Sequence, residues 1–458
     1  MITTADLPNY FLADLPRETE LTEQMVREAC DSLRRNRTQF LATRPTKSMI
    51  RVIANLAESW LDDAFPFRRA LLVEGPARTG FSTQTLKAGL DPFFAQLTEK
   101  NLSDFLAQEL GDAERLEGLM ATPAELRRDR ASFARGPELL VHVTGGQLPN
   151  PPLTSMVFGL LIRSAQFVKA ASQTSFIPRL FAHSLYRLEP KLGACLEIAE
   201  WKGGNAALEK ELFSQADCVT ATGSNETLTA IRAQTPGRVR FVGYGHRVSF
   251  AYIASEMLSG FSSHKVTFSA ARDITAWDQN GCLSPHVVYV ENAGKIGPMQ
   301  FAESLARELE TLEEQQPRGA LSPEEEAAIV SRRSFYEVRA AYSGTTKIWS
   351  SENSTAWTVV YEEDPRFQVS CGNRFVYVKP VAALRQVLEG ADEFRRSIST
   401  VGLAAPEDRA EKIANELARW GVTRICPLGQ MQNPPLFWRH DGRPALGDLV
   451  TWADWEVS

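Results

Sequence analysis

The stretch DQNGCLSPH, Asp278 to His286, holds the residue best suited to covalent chemistry. Cys282 follows Gly281 and precedes a Leu-Ser-Pro turn. The apolar run VVYV begins at once, so the thiol stands at the mouth of a buried strand. A thiolate attacks carbonyl carbon well when its pKa is lowered or a cleft shields it. Gly281 leaves no Cβ in the path of a substrate, and Pro285 fixes the exit of the loop. The competing account of the same residues is a buried structural cysteine, packed as a small hydrophobe. The other five cysteines, at 30, 195, 218, 371 and 426, have no such setting, and Cys195 and Cys218 read as core residues at strand starts.

Three further stretches carry chemistry more weakly. VHVTGGQLPN ends a strand in two glycines and places Asn150 among prolines, where a rigid amide could donate to a developing oxyanion. A turn asparagine before proline accounts for it equally well. TATGSNET ends another strand and opens a helix; Gly223 and Ser224 offer backbone N–H groups that suit a pyrophosphate, although simple capping by Ser224 explains them too. Lys169, in QFVKAAS, sits at a strand end where a cofactor ribose could lie, or else faces solvent. No Gly-x-Gly-x-x-Gly occurs, and VEGPARTGFS reads as a turn-rich break that lacks the Gly-Lys-Ser/Thr of a phosphate loop.

The elements that must position these residues follow from the pattern of apolar residues. Residues 1–136 read as mostly helical, with apolar positions at helical spacing. Between 137 and 255, short apolar strands alternate with helices: ELLVHVTGG, QFVKAAS, ACLEIAEWKGG, CVTATG and RVRFVGYGH are the strands. That alternation implies right-handed crossovers and a parallel sheet, which binds ligands beyond the carboxyl ends of its strands. Residues 256–428 form a second α/β segment around Cys282. In it TAWTVVYEEDPRFQVS and RFVYVKPV read as paired strands, and Ser322, Pro323 and Glu325 open a helix with a capping box. The tail, 429–458, is rich in Pro, Gly and Trp and reads as an ordered loop and an edge strand.

Composition narrows the function. The chain has 458 residues, enough for two or three domains, and a net charge of −6 gives no general attraction to nucleic acid or anionic membrane. No apolar run approaches the length of a membrane span, and the N-terminus lacks the pattern of a secretory signal. The expected compartment is the cytoplasm. Scattered cysteines and histidines give no metal-ligand spacing, and no metal is expected.

Taken together, VHVTGGQLPN, GLLIRSAQFVKAAS, VGYGHRVSFAYIA, ARDITAWDQNGCLSPHVVYVE and PPLFWRHDGR closely resemble the acyl-CoA reductase family typified by LuxC, a branch of the aldehyde dehydrogenase superfamily. The resemblance spans roughly residues 60 to 455. It implies an aldehyde dehydrogenase-like α/β fold, with two parallel-sheet domains and a small oligomerisation element. On this reading 1–136 packs on a nucleotide-binding domain, 137–255, followed by a catalytic domain, 256–428. Residues 429–458 then serve oligomerisation or closure of the site. Cys282 matches the catalytic cysteine and Asn150 the oxyanion asparagine, paired with the backbone N–H of Cys282. Lys169 matches the lysine that holds the adenosine ribose, and Gly223 and Ser224 match the Gly-Ser facing the pyrophosphate. Ser172 stands where NAD-preferring relatives often carry glutamate. A small neutral residue leaves room for a 2′-phosphate, which favours NADPH, with NADH as the alternative.

One departure is informative. Aldehyde-oxidising members carry a general-base glutamate in Glu-Leu-Gly-Gly, whereas the matching residues here, Gly243 to His246, include no carboxylate. Water is then poorly activated against an acyl-enzyme, which suits a thioester reductase. His246 is a proton donor, a ligand for substrate phosphate, or structural. The expected activity is NADPH-dependent reduction of an acyl thioester, acyl-CoA or acyl-protein, to aldehyde through an acyl-cysteine. Two rivals stand beside it: an acyl-holding subunit of a fatty-acid reductase complex and an aldehyde-oxidising dehydrogenase. The expected partners are an acyl-protein synthetase or carrier protein, and a second or fourth copy of the chain as homodimer or tetramer.

Overall fold

The structure, a computed structural model, describes residues 7–16, 18–172 and 174–456. The chain divides into two compact units. One comprises Met1–Thr79, Leu90–Gly245 and Pro435–Ser458, and the other Gly80–Gly89 and His246–Pro434.

The first unit is built on five parallel strands: β2 (Leu139–Thr144), β3 (Ala165–Ala170), β4 (Leu196–Glu200), β5 (Cys218–Thr222) and β6 (Arg240–Tyr244), after a separate strand β1 (Arg130–Arg135). Their order across the sheet is β4-β3-β2-β5-β6. Strands buried on both faces read as near-continuous apolar runs, and all six residues of β2 and of β3 are buried. Leu139, Val141 and Val143 pack with Phe167 beneath the helices Glu23–Asn36 and Ala206–Gln215. The intervening His142 points to the other face, its Nδ1 2.7 Å from Thr220 Oγ1 and its Nε2 2.9 Å from Gln166 Oε1. The strand order reverses direction between β2 and β5, which makes their carboxyl ends the switch point of the sheet.

The second unit holds β7 (Val248–Ile253), β8 (Pro285–Glu291), β9 (Thr346–Ser350), β10 (Thr358–Glu362), β11 (Phe375–Val381), β12 (Ile398–Ala404) and β13 (Arg424–Pro427). Their order is β13-β12-β7-β8-β11-β10-β9, all parallel except for β9. Alternation along β7 sends Ala251 and Ile253 to one core, with helices Phe261–Thr275 and Pro298–Gln315, and Phe250 and Tyr252 to the other. The expected strands around Tyr361 and Val378 pair in parallel, and Ser322, Pro323 and Glu325 cap the helix Pro323–Tyr342 as expected.

Four features differ from the sequence expectation. VEGPARTGFS is not a turn up to its middle: the helix Pro66–Thr79 runs through Pro76 and breaks only at Gly80, whose φ is +82°. The N-terminal region is not wholly helical, because β1 pairs antiparallel with β14 (Thr451–Glu456), a partner more than 300 residues away that no local signal announces. RVRFVGYGH supplies the last strand of the first unit. β6 ends at Tyr244 and β7 already belongs to the other sheet, so the units divide at Gly245 rather than at 255. The tail is shared: 429–434 belongs to the second unit and 435 onwards to the first. No described helix is long and apolar enough to cross a membrane.

Candidate functional site

In the second unit, Cys282 is exposed while its neighbours Gly281, Leu283 and Ser284 are buried. The approach to it is an unusual backbone. Trp277, Asp278 and Gln279 take φ values of 52°, 50° and 62° in succession, a left-handed run that costs energy at each non-glycine residue. Side chains hold it. Trp277 packs on Phe81 and lies against Gly89, where a Cβ would come within 2.1 Å of the indole. Asp278 accepts from Arg374 Nε at 3.0 Å and Nη2 at 2.6 Å, and from the Gly319 N–H at 3.1 Å. Gln279 Nε2 donates to the carbonyls of Pro285 and Phe375 at 2.8 and 2.9 Å, tying both ends of the loop to the sheet.

The cysteine itself is fixed through its backbone. Ser249 Oγ, on β7, donates to the Cys282 carbonyl at 2.8 Å and accepts from Thr400 N at 3.1 Å. Asn280 Nδ2 donates to Asn373 Oδ1 at 3.1 Å, across to a second left-handed turn at 372–374. Gly281 does not face open space: a Cβ there would lie 2.2 Å from Gln432 Nε2. The glycine expected to clear a path for substrate clears one for Gln432.

Electrostatics separate this thiol from the others. Burial pushes Cys30, Cys195 and Cys218 up to about 12 and Cys426 to about 11, and it raises half-buried Cys371 as well. Cys282 is the exposed one among the six. Buried Arg424 lies within electrostatic reach of it. His286, on β8, accepts from Ser370 N at 3.2 Å through Nδ1, and burial together with nearby His246 pushes it down to about 4, so it is neutral. His246 is exposed just ahead of β7.

In the first unit the structure brings Gly145, Thr222, Gly223 and Ser224 together at the switch point. Gly145 N–H donates to Thr222 Oγ1 at 3.0 Å, and a Cβ on Gly145 would meet the Thr222 carbonyl oxygen at 2.6 Å. Ser224 caps the helix Asn225–Gln234, accepting from Thr227 N at 3.2 Å. Close backbone and a helix N-terminus at the carboxyl edge of a parallel sheet are features that could hold a dinucleotide pyrophosphate. Lys169 is on the next strand but does not face solvent. It is buried with its ammonium 5.6 Å from the Trp201 ring centroid; burial lowers its pKa while Glu209 and Glu200 oppose that shift. Ser172 is exposed on the loop after β3, and Asn150 is the half-buried first residue of the helix Asn150–Leu161.

Sequence reasoning did not single out Ser249, Asp273, Arg374, Arg424 or Gln432. Ser249, Arg374, Arg424 and Gln432 lie far from Cys282 along the chain and come near its turn only through the fold, while Asp273, nine residues before it, is bonded to the 429–431 segment. Among the described residues no cluster of His, Cys, Asp or Glu could hold a metal ion.

Comparison with known proteins bears on the family and the fold. The acyl-CoA reductase (LuxC) family model matches residues 41–452. A long-chain acyl-protein thioester reductase of Vibrio harveyi is 23% identical over 415 residues, covering 89% of this chain and 82% of that protein. Among solved structures, the glyceraldehyde-3-phosphate dehydrogenase GapN of Methanocaldococcus jannaschii, complexed with NADP, superposes with a TM-score of 0.68 at 11% identity, covering 95% of both chains. Bifunctional proline utilization A gives 0.71 at 15% identity; 95% of this chain is covered, but it spans only 45% of that one. At such identities the structures speak for the aldehyde dehydrogenase fold, and the family match, across most of the sequence, speaks for descent. The chain belongs to the acyl-CoA reductase (LuxC) family.

Proposed function

We propose that the protein reduces an acyl thioester to the aldehyde through an acyl group carried on Cys282. The observation that carries this reading is the contrast among the cysteines: five are buried or half-buried with raised pKa values, and one is exposed on a turn whose flanks are pinned. The Cys282 thiolate attacks the thioester carbonyl. Asn150 and the Cys282 backbone N–H are the donors assigned to the oxyanion by the family resemblance. The carbon–sulfur bond of the donor breaks, its thiolate leaves and takes a proton, and acyl-cysteine remains. When bound, a reduced nicotinamide supplies the hydride. Cys282 departs as thiolate when the carbonyl re-forms, and aldehyde is released.

The cradle at Gly145, Gly223 and Ser224 fits the pyrophosphate of such a cofactor, with Lys169 assigned to the ribose. Exposed Ser172 brings no carboxylate to a 2′-phosphate, which supports NADPH over NADH. The absence of a carboxylate in Gly243–His246 supports an acyl-enzyme protected from water, with His246 the remaining proton carrier there. The name of the Vibrio relative supports an acyl-protein donor beside acyl-CoA, and hence a carrier or synthetase as partner. The ribbon β1–β14, whose outer strand is exposed along all six residues, is the element assigned to oligomer formation.

The deciding experiment follows NADPH consumption against a panel of acyl-CoAs while aldehyde is trapped. Matching aldehyde from the wild type and none from C282A supports the reading, and turnover by C282A overturns it. A one-acyl mass gain at Cys282 without NADPH consumption would instead mark an acyl-holding subunit.

A further inference from the structure

Ser284 N–H donates to the Gly281 carbonyl at 2.9 Å, closing a four-residue turn, Gly281–Ser284, with Cys282 at its second position. The side-chain amide of Gln432 touches both ends of that turn. Its Nε2 donates to the fully buried Ser284 Oγ at 2.5 Å. The same group lies against Gly281, where a Cβ would stand 2.2 Å from Nε2 and 2.9 Å from both Cδ and Oε1.

Gln432 is itself delivered by a pinned segment. Buried Asp273 accepts from the Gly429 N–H at 2.5 Å and the Met431 N–H at 2.9 Å. Arg424 donates to the carbonyls of Gln430 at 2.8 Å and Met431 at 2.6 Å. One carboxyl group holds the N–H groups and one guanidinium holds the carbonyls of the same short run, so little freedom is left at the next residue. Met431 is fully buried and packs against Gly402, where a Cβ would lie 2.5 Å from its sulfur. The result is a polar side chain placed from a distant part of the chain onto the nucleophile's own turn.

We propose that Gln432 is a positioning residue for Cys282: its amide staples the first and last residues of the turn and so sets where the thiol and the Cys282 backbone N–H stand. The inference rests on the reading of Cys282 as the nucleophile. Gln432 acts through the turn, and Gly281 is glycine because the amide occupies the space a Cβ would need. A misplacement of the reacting atoms by an ångström slows a reaction far more than it weakens binding.

The test compares wild type, Q432M, Q432A, G281A and G281A/Q432A in the acyl-CoA assay, with the pH dependence of Cys282 alkylation measured in parallel. Q432M keeps the length of the side chain and guards against loss of folding. The expected result is a kcat lowered between about tenfold and about a hundredfold in Q432M and Q432A, with both KM values within about twofold of wild type. The alkylation profile should shift in the same variants. G281A/Q432A should be no slower than G281A, since methyl and amide compete for one space. Wild-type kcat and alkylation profile in both Gln432 variants would overturn the proposal, as would fully additive losses in the double variant. Failure of the nucleophile reading would look different: C282A would turn over like the wild type whatever the Gln432 variants did.

Discussion

Arg374, with no exposed side-chain surface, clasps Asp278 through Nε at 3.0 Å and Nη2 at 2.6 Å, four residues before the cysteine. Its Nη1 reaches Glu313 Oε2 at 2.7 Å and its Nη2 also donates to the Gln316 carbonyl at 3.0 Å. Breaking one side of a buried pair strands the other charge. R374L should therefore cost about 3–5 kcal/mol of stability, measured by urea unfolding, and D278N should cost less because the amide still accepts one bond. If R374L unfolds at the wild-type midpoint, Arg374 does not hold the loop as the geometry indicates.

Alkylation should discriminate among the cysteines. Brief iodoacetamide treatment at neutral pH is expected to modify Cys282 first, then half-buried Cys371, and to spare the four whose thiols are buried. Peptide mass mapping reads the order directly. Prior loading with acyl-CoA should protect Cys282, and labelling of Cys218 or Cys30 ahead of it would contradict the assigned exposures.

Gly145 gives a test confined to the first unit. A methyl group there would sit 2.6 Å from the Thr222 carbonyl oxygen, so β2 and β5 must part at the switch point. G145A should raise KM for the nicotinamide about tenfold or more while the alkylation rate of Cys282 stays unchanged. An unchanged KM would remove the assignment of the cofactor to that edge.

Two buried histidines should each make the fold less stable in acid over a defined window, against the opposite contribution of buried Glu197 and Asp273, whose carboxyls burial pushes up to about 8 and about 7. Burial pushes His142 and His286 from the ordinary histidine value down to about 4. Between pH 6.5 and 4 the unfolded chain binds protons that the folded chain refuses. Their stabilising contribution is therefore complete above pH 6.5 and is lost as pH falls toward 4, by roughly 3 kcal/mol for each ring. H142Q, whose amide cannot charge, should gain stability relative to the wild type as pH falls through 7, 6 and 5 in urea titrations. A difference between H142Q and wild type that does not change with pH would show that the ring is not responsible.

The parts of this protein legible in its sequence are those encoded locally. The alternation of apolar strands with helices revealed the parallel sheet, because strands buried on both faces must be apolar throughout. Ser224 and Ser322 declared their helices because a cap is a short-range device. Gly281 was noticed and misread: its smallness is real, but the neighbour that requires it, Gln432, lies about 150 residues away. Solvent exposure stays open as the alternative for Lys169 on sequence alone, because nothing nearby in the sequence shows that Trp201 lies beside it. Arg374, Asp273 and Arg424 look like ordinary charges on paper, and only the sheet order makes them partners. The division at Gly245 was missed for a related reason. β6 and β7 are separated by only three residues with no linker-like composition between them, yet they belong to different sheets.

The pairing of β1 with β14 has a consequence for biosynthesis. Arg130 faces Glu456 and Arg135 faces Thr451, so the inner strand of this ribbon leaves the ribosome long before its mate exists. At ordinary translation speeds the wait is roughly 15 to 65 seconds. During it the edge of β1 stands open, and an unpaired strand is a template for any other extended chain nearby. A nascent chain of this protein therefore carries an unpaired edge until late in synthesis, and only the arrival of β14 closes it.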